Sequence, residues 1–369
     1  MKEMPVTVKR SIELLGLFLV GAVIVIGQTI LMPLLMAFFV SLMLLPIFRF
    51  FRRINFPEAL AIFLPILGLT VFAGLIVWLF SSQIGSLVND FPQIKQNISK
   101  HLGALSKWIN ESFNFSPDEQ LRFISEQSNK LFNSAGSIIS GAAGSVTGVL
   151  LFFGLLPIYI YLILMYKNLF VKFVFMWFDP KQHNQVEEAM RETEGIIKSY
   201  LIGLLIQITY ITVLLGGILF LFGIKHALLI GIIFAFLNLI PYLGALIGNI
   251  LGVLITLSSS EDIFDIIIVL AAISVVQFLD NNILMPRIVG SKVKINALTA
   301  IVGIIIAGTM AGISAMFLAL PVIAVLKIVF DRSEQFKQWG VLLGDERPEK
   351  SPMNFPAFRR KSKDVETIK

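Results

Sequence analysis

The chain contains no cysteine. Disulfides, thiolate metal sites and cysteine nucleophiles are therefore excluded. Its three histidines, His101, His183 and His226, are far apart in sequence and flank the apolar runs, so a histidine metal site is not expected. Charge is also scarce. Only 15% of residues are charged, against roughly a quarter in soluble domains. No GxxxxGK[ST], HExxH or GxSxG pattern occurs, and no polar stretch is long enough for a nucleotide-hydrolysing domain. No catalytic residue, metal or resident cofactor is expected, and the chain does not read as an enzyme. The alternating segments of a membrane barrel are missing as well.

What remains is apolar. The chain is 56% hydrophobic, with a mean hydropathy of +0.83. Uncharged runs such as 61–80 and 146–166 are long enough to cross ~30 Å of hydrocarbon at ~1.5 Å per residue. The expected fold class is an all-α polytopic membrane protein. Spans are expected at 12–27, 30–48, 59–81, 146–166, 197–222 and 263–285. Lys2, Lys9 and Arg10 precede the first run like a signal peptide, but no small-residue cleavage site follows; that run reads as two retained spans turning at 27–33. Two further runs, 227–257 and 297–329, are too long for one span and too short for two. Each is interrupted near its middle, at Pro241-Tyr242-Leu243-Gly244 and at Gly308–Gly312, which fits a re-entrant broken-helix hairpin. The alternative is eight full spans.

Basic residues support this topology. With both termini cytoplasmic, 24 of the 30 Lys and Arg residues lie inside, as the positive-inside rule requires. A net charge of +6 on such a chain concerns orientation and lipid contact, not nucleic acid. The segments 197–257 and 263–329 each read as span, polar link and broken hairpin, in opposite orientations. Inverted repeats with broken helices belong to transporters. Four regions follow: N-terminal spans at 1–82, an amphipathic helical extramembrane segment at 83–142, a transport core at 143–330, and a basic, disordered cytoplasmic tail at 331–369. In 83–142, apolar residues recur every three or four positions. That pattern suits a helix packed on its own protomer or a subunit contact.

Chemistry is concentrated at Gln277, Asp280, Asn281 and Asn282, within an apolar run. An ionisable group at membrane depth usually faces a pathway or a partner. On an α-helix Gln277, Asp280 and Asn281 share a face and Asn282 is offset. One carboxylate with two carboxamides could bind a cation, exchange a proton or hydrogen-bond a polyol. Pairing of Asp280 with Arg287 or Lys292 is the bland alternative. A second group is Asn238, Pro241, Tyr242 and Gly244, where Pro241 frees a carbonyl and Gly244 permits a tight turn. Gly308, Gly312 and Pro321 would let the arms of the second hairpin meet, and Pro286 ends the Asp280 helix. Gln207 and Thr209 are lone polar residues in their span. They would line the same cavity or bond between helices.

These residues carry a resemblance. From Gly195 through Lys327 the chain resembles the autoinducer-2 exporter (AI-2E) family of bacterial permeases. Its proline-tyrosine-leucine-glycine break appears as Pro241-Tyr242-Leu243-Gly244. Its Q-x-x-[ED]-N-x-x-x-x-P-x-x-x-G pattern appears as Gln277, Asp280, Asn281, Pro286 and Gly290. Its closing hairpin appears as Gly308, Gly312, Leu320-Pro321 and Lys327, and Pro33, Ala37 and Pro46 fit its early span. Asp280 stands where glutamate is commoner, Ala297 where proline is usual and Ser314 where glycine is frequent. The resemblance implies a permease of the bacterial inner membrane, moving a small polar solute such as autoinducer-2 by alternating access without ATP. It also implies homo-oligomers, pentamers in form. Similar proteins imply sodium- or lithium-for-proton antiport as the alternative, with a proton or sodium ion coupled at Asp280. A non-transporting scaffold is the third reading. The partners expected are membrane lipid, a solute or monovalent cation, and further copies of the chain.

Overall fold

In the computed structural model, the described residues are 6–90, 93, 96–97, 100, 103, 146–240, 243–260, 262–284, 295–334 and 336–345. They are helical almost throughout. The long elements are α1 (Val6–Arg53), α2 (Glu58–Asn89), α3 (Val146–Met165) and α5 (His183–Leu221), with a short α4 (Lys167–Phe175) between the last two. Then follow α6 (Ala227–Leu237), α7 (Leu243–Ser259), α8 (Ile263–Leu279), a π-turn (Asp280–Leu284), α9 (Ala297–Arg332) and α10 (Lys337–Leu343). Five of these helices are long and apolar enough to cross a membrane, or six if the bent pair α3–α4 is one span. The chain is an all-α, multi-pass membrane protein.

One expectation fails. The turn at 27–33 does not exist; α1 runs unbroken through Gly27 and Pro33. In an apolar surrounding, helix is the one conformation in which a single segment satisfies its own backbone, and that outweighs a lone proline. At ~1.5 Å per residue, α1 is ~72 Å long. If it crosses once, its two ends lie on opposite sides. In that case Lys9 and Arg49 would lie on opposite sides.

The core lies where the second half of α1 meets α2, α3 and α5. Phe39, Ala61, Ile62, Ile160, Ile197, Ile211 and Leu215 are buried there. Phe234 of α6 and Ile273 of α8 extend it. The first half of α1 contributes little; Ile26 is 85% exposed. Exposed apolar side chains of this kind are ordinary where the surrounding solvent is lipid.

Polar contacts sort the helix ends into two sets. Arg49 donates two hydrogen bonds to Glu194 at 2.7 and 3.1 Å, Lys167 lies 3.4 Å from Glu58, and Arg332 pairs with Glu192. These mark one end. At the other, Lys225 pairs with Asp90 at 2.9 Å, and Asn97 donates to the Ser258 carbonyl at 3.1 Å. Lys225 precedes α6 and Ser258 ends α7, so the α6–α7 pair starts and finishes at the Asp90 end. Its helices pack on each other.

The second apolar run behaves alike from the opposite end. Helix α9 breaks at Ala311 and Gly312, the latter at φ 71°, ψ −160°, a region open essentially to glycine alone. Its arms then fold back: Gly303 faces Ile323 and Gly308 faces Met316. Asn296 starts this hairpin by capping the Thr299 amide at 2.8 Å, a standard N-cap bond. Its Nδ2 also donates to the carbonyls of Leu342 and Gly344, fixing α10 across the hairpin's base. Two broken hairpins therefore enter from opposite ends. Most of 83–142, and the tail beyond 345, lie outside the described residues.

Candidate functional site

The tip of the α6–α7 hairpin reaches the middle of the bundle. Its sharp return depends on Gly244, where a Cβ would fall on the Leu237 carbonyl oxygen. Pro241 and Tyr242 lie outside the described residues. The turn presents Asn238 as the C-cap of α6, itself buried. Opposite stands α8, whose N-cap Asp262 accepts from the Phe264 amide at 2.9 Å. After Leu279 the α8 ladder widens into the π-turn. Such turns recur at functional sites, because they leave backbone and side chains off the ordinary helical register.

Asp280 is the first residue of that turn and is 1% exposed. Its Oδ2 accepts from Gln207 Nε2 of α5 at 2.9 Å and from Asn238 Nδ2 at 2.8 Å. Three separate elements thus converge on one carboxylate. A buried carboxylate requires such donors, since desolvation is otherwise costly. Among the described residues no cation pairs with it. Arg287 and Lys292, the partners of the bland alternative, fall outside those residues.

The remaining valences point the same way. Asp280 Oδ1, Gln207 Oε1 and Gln277 Oε1 are buried acceptors without a partner among the described residues. Gln277 Nε2 is occupied by Asn281 Oδ1 at 3.3 Å. Buried polar atoms are ordinarily satisfied, so the region offers spare acceptors; the Tyr210 hydroxyl is likewise unpartnered among the described residues, and each carboxamide NH₂ has a second N–H. The region suits a proton, a monovalent cation or hydroxyl donors of a solute.

The structure divides the other expected residues. Gln207, Asn238 and Asp280 are brought together. Asn281 and Asn282 are exposed, and Asn282 Nδ2 donates to the Phe278 carbonyl at 2.9 Å. Periodicity placed Asn281 beside Asp280 because it assumed 3.6 residues per turn, and the π-turn changes that register. Thr209 bonds the Leu205 carbonyl of its own helix at 2.9 Å. It lines an apolar lateral groove of about 430 Å³ with Leu205, Ile206, Tyr210 and Val213. Gly308, Gly312 and Pro321 belong to the second hairpin, with Pro321 buried in its returning arm. Pro286 lies outside the described residues.

Sequence reasoning missed a cluster at the far mouth. Asp90, Lys225 and His226 meet where α2 ends and the α5–α6 elbow begins, with His226 Nε2 3.2 Å from Asp90 Oδ2. Adjacent Lys225-His226 between two apolar runs was the available signal.

Comparison with known proteins agrees with this architecture. The sequence profile described as AI-2E family transporter matches residues 14–335. The chain is 26% identical over 308 residues to "Putative transport protein YrrI" of Bacillus subtilis (strain 168), covering 82% of this chain and 86% of that protein. It is 28% identical over 323 residues to "Putative transport protein YueF" of the same organism, covering 83% and 85%. It is also 23% identical over 318 residues to "AI-2 transport protein TqsA" of Escherichia coli (strain K12), covering 86% and 90%.

Proposed function

The chain belongs to the AI-2E transporter family, and from that membership and the Asp280 cluster we propose a permease that moves a small polar solute such as autoinducer-2 by alternating access, without ATP. The observation that carries this reading is the buried carboxylate held by two donors from two other elements, one of them the tip of a broken hairpin. A hairpin that moves relative to α5 and α8 would make or break the Asn238 bond, and with it expose Asp280 to one side. TqsA, whose name describes AI-2 transport, supports the solute class. The arrangement fits the bacterial cytoplasmic membrane. Of the charged ends, the one bearing Arg49 and Arg332 carries 21 Lys and Arg and the Asp90 end six, or nine with Lys2, Lys9 and Arg10. That asymmetry favours the former as cytoplasmic. A homo-oligomer, pentameric by resemblance, completes the proposal.

The spare acceptor oxygens favour a second reading, exchange of sodium or lithium for protons at Asp280. One experiment separates them: flux of labelled autoinducer-2 into proteoliposomes, wild type beside Asp280→Asn, with sodium and proton gradients applied in turn. The permease predicts flux that falls about tenfold or more in the variant. Undiminished flux would remove Asp280 from the mechanism. Absent flux, with Asp280-dependent proton movement on adding sodium or lithium, would establish the exchanger.

A further inference from the structure

Helix α4 has no place in the site, and no residue of it is buried. It leaves α3 at an angle of 61° directly after Tyr166. If α3 crosses the membrane, α4 turns strongly away from the crossing direction. Leu169, Phe170 and Phe173 of α4, its C-cap Met176 and Trp177 in the turn that follows fall on a single face at helical spacing. All five are exposed; Met176 is 76% and Trp177 75% accessible. Such a face against water would be an apolar patch that soluble surfaces avoid.

Its edges are basic. Lys172 borders the apolar face, Lys181 follows in the short 3₁₀ turn, and both are exposed with no ion-pair partner among the described residues. Lys167, at the start, lies over the Phe48 ring at 4.5 Å and beside Glu58. Asp179 is the one acidic residue between Lys167 and His183. Aromatic rings on one side with lysines at the margin are the composition of helices that lie in the headgroup layer. The same end carries Arg49, Arg52 and Arg53.

We propose that α4 is an interfacial helix that seats Leu169, Phe170, Phe173, Met176 and Trp177 below the headgroups and binds acidic phospholipid through Lys172 and Lys181. The seat has a mechanical neighbour. The Phe175 ring stacks edge-on against His183, centroids 4.8 Å apart, and His183 Nε2 lies 3.2 Å from the Phe178 carbonyl. His183 opens α5, the helix that carries Gln207 to Asp280. Acidic lipid under α4 would thus fix the base of that helix.

The absence of cysteine and the count of four tryptophans make this testable without transport. Trp78, Trp108 and Trp339 are replaced by Phe, leaving Trp177, and the protein is reconstituted in phosphatidylcholine–phosphatidylglycerol vesicles. Either lipid is brominated near the top of its acyl chains. Trp177 emission should be quenched by bromine and protected from aqueous iodide. Brominated phosphatidylglycerol should quench about twofold more than brominated phosphatidylcholine at equal fraction. Lys172→Gln with Lys181→Gln should abolish that excess and leave the depth unchanged. Iodide access without bromine quenching would overturn the proposal in favour of a solvated helix. Exclusion of both quenchers would overturn it in favour of a protein contact, such as a second copy. Equal quenching by the two lipids would overturn acidic selectivity. If the tryptophan-depleted protein does not fold, a spin label on Met176→Cys in the otherwise cysteine-free chain reads the same depth from oxygen and nickel accessibility.

Discussion

The two broken hairpins solve one problem with different chemistry. The first, α6–α7, breaks at a polar tip and delivers Asn238 to a buried carboxylate on another helix. The second, within α9, breaks at Ala311-Gly312 by backbone conformation alone. Its polar tip residue, Thr309, bonds the Ile306 carbonyl of its own arm at 2.8 Å. A repeated fold therefore does not imply a repeated site. One hairpin supplies a group to the cluster and the other only a backbone break.

Gly244→Ala would break the comparison most completely. The added methyl meets the Leu237 carbonyl, which cannot move without opening the first hairpin. A loss of at least ~3 kcal/mol is expected, read as failed folding or a large fall in detergent melting temperature. At the other hairpin, Gly312→Ala meets no neighbouring atom but must adopt φ 71°. The expected loss is ~1–3 kcal/mol, measured by the same melt; equal losses at the two positions would erase the distinction between clash and strain. Next come the tips. Asn238→Ala removes one donor from a buried carboxylate, costing ~1–3 kcal/mol and lowering transport. Thr309→Ala should change stability by less than ~0.5 kcal/mol and leave transport intact. Comparable transport defects in both would mean that the second hairpin is also part of the site.

Acidification gives a small effect, confined to the base of the first hairpin. Burial holds the His226 imidazole below its ordinary 6.5, with Asp90 drawing it up and Lys225 adding to the depression. The folded elbow therefore prefers neutral His226. Its contribution is full above pH 6.5 and declines as pH falls below 6.5 toward the lowered folded value. Asp90, lowered chiefly by its hydrogen bond from Lys225, stays ionised through that window. The melting temperature should fall as pH is lowered from about 7.5 to 5.5, and His226→Gln should remove the fall. The base of the second hairpin, held by Asn296 and α10, has no histidine among these bonds and should not respond.

Much of this was legible from composition. Long apolar runs gave the class, and Pro241, Gly244 and Gly312 marked where two of them fold back. Asp280, Asn238 and Gln207 stood out because polar residues in an apolar run need partners. Their convergence was not readable, since it depends on how deep the α6–α7 tip penetrates and on packing between residues 42 and 73 positions apart. Gly27 and Pro33 misled for the opposite reason. A lone breaker does not force a turn: Pro33 is buried in the packing of α1, and the helix continues through it.

The π-turn at Asp280 has a genealogical meaning. An α-helix acquires such a turn when one residue is inserted and the flanking turns keep their old contacts. At Asp280 the preceding turn is anchored through Gln207 and Asn238, so an extra residue would be absorbed in 281–284 rather than by rotating the carboxylate. The helix past Asp280 therefore tolerates a change of one codon in length without surrendering the site.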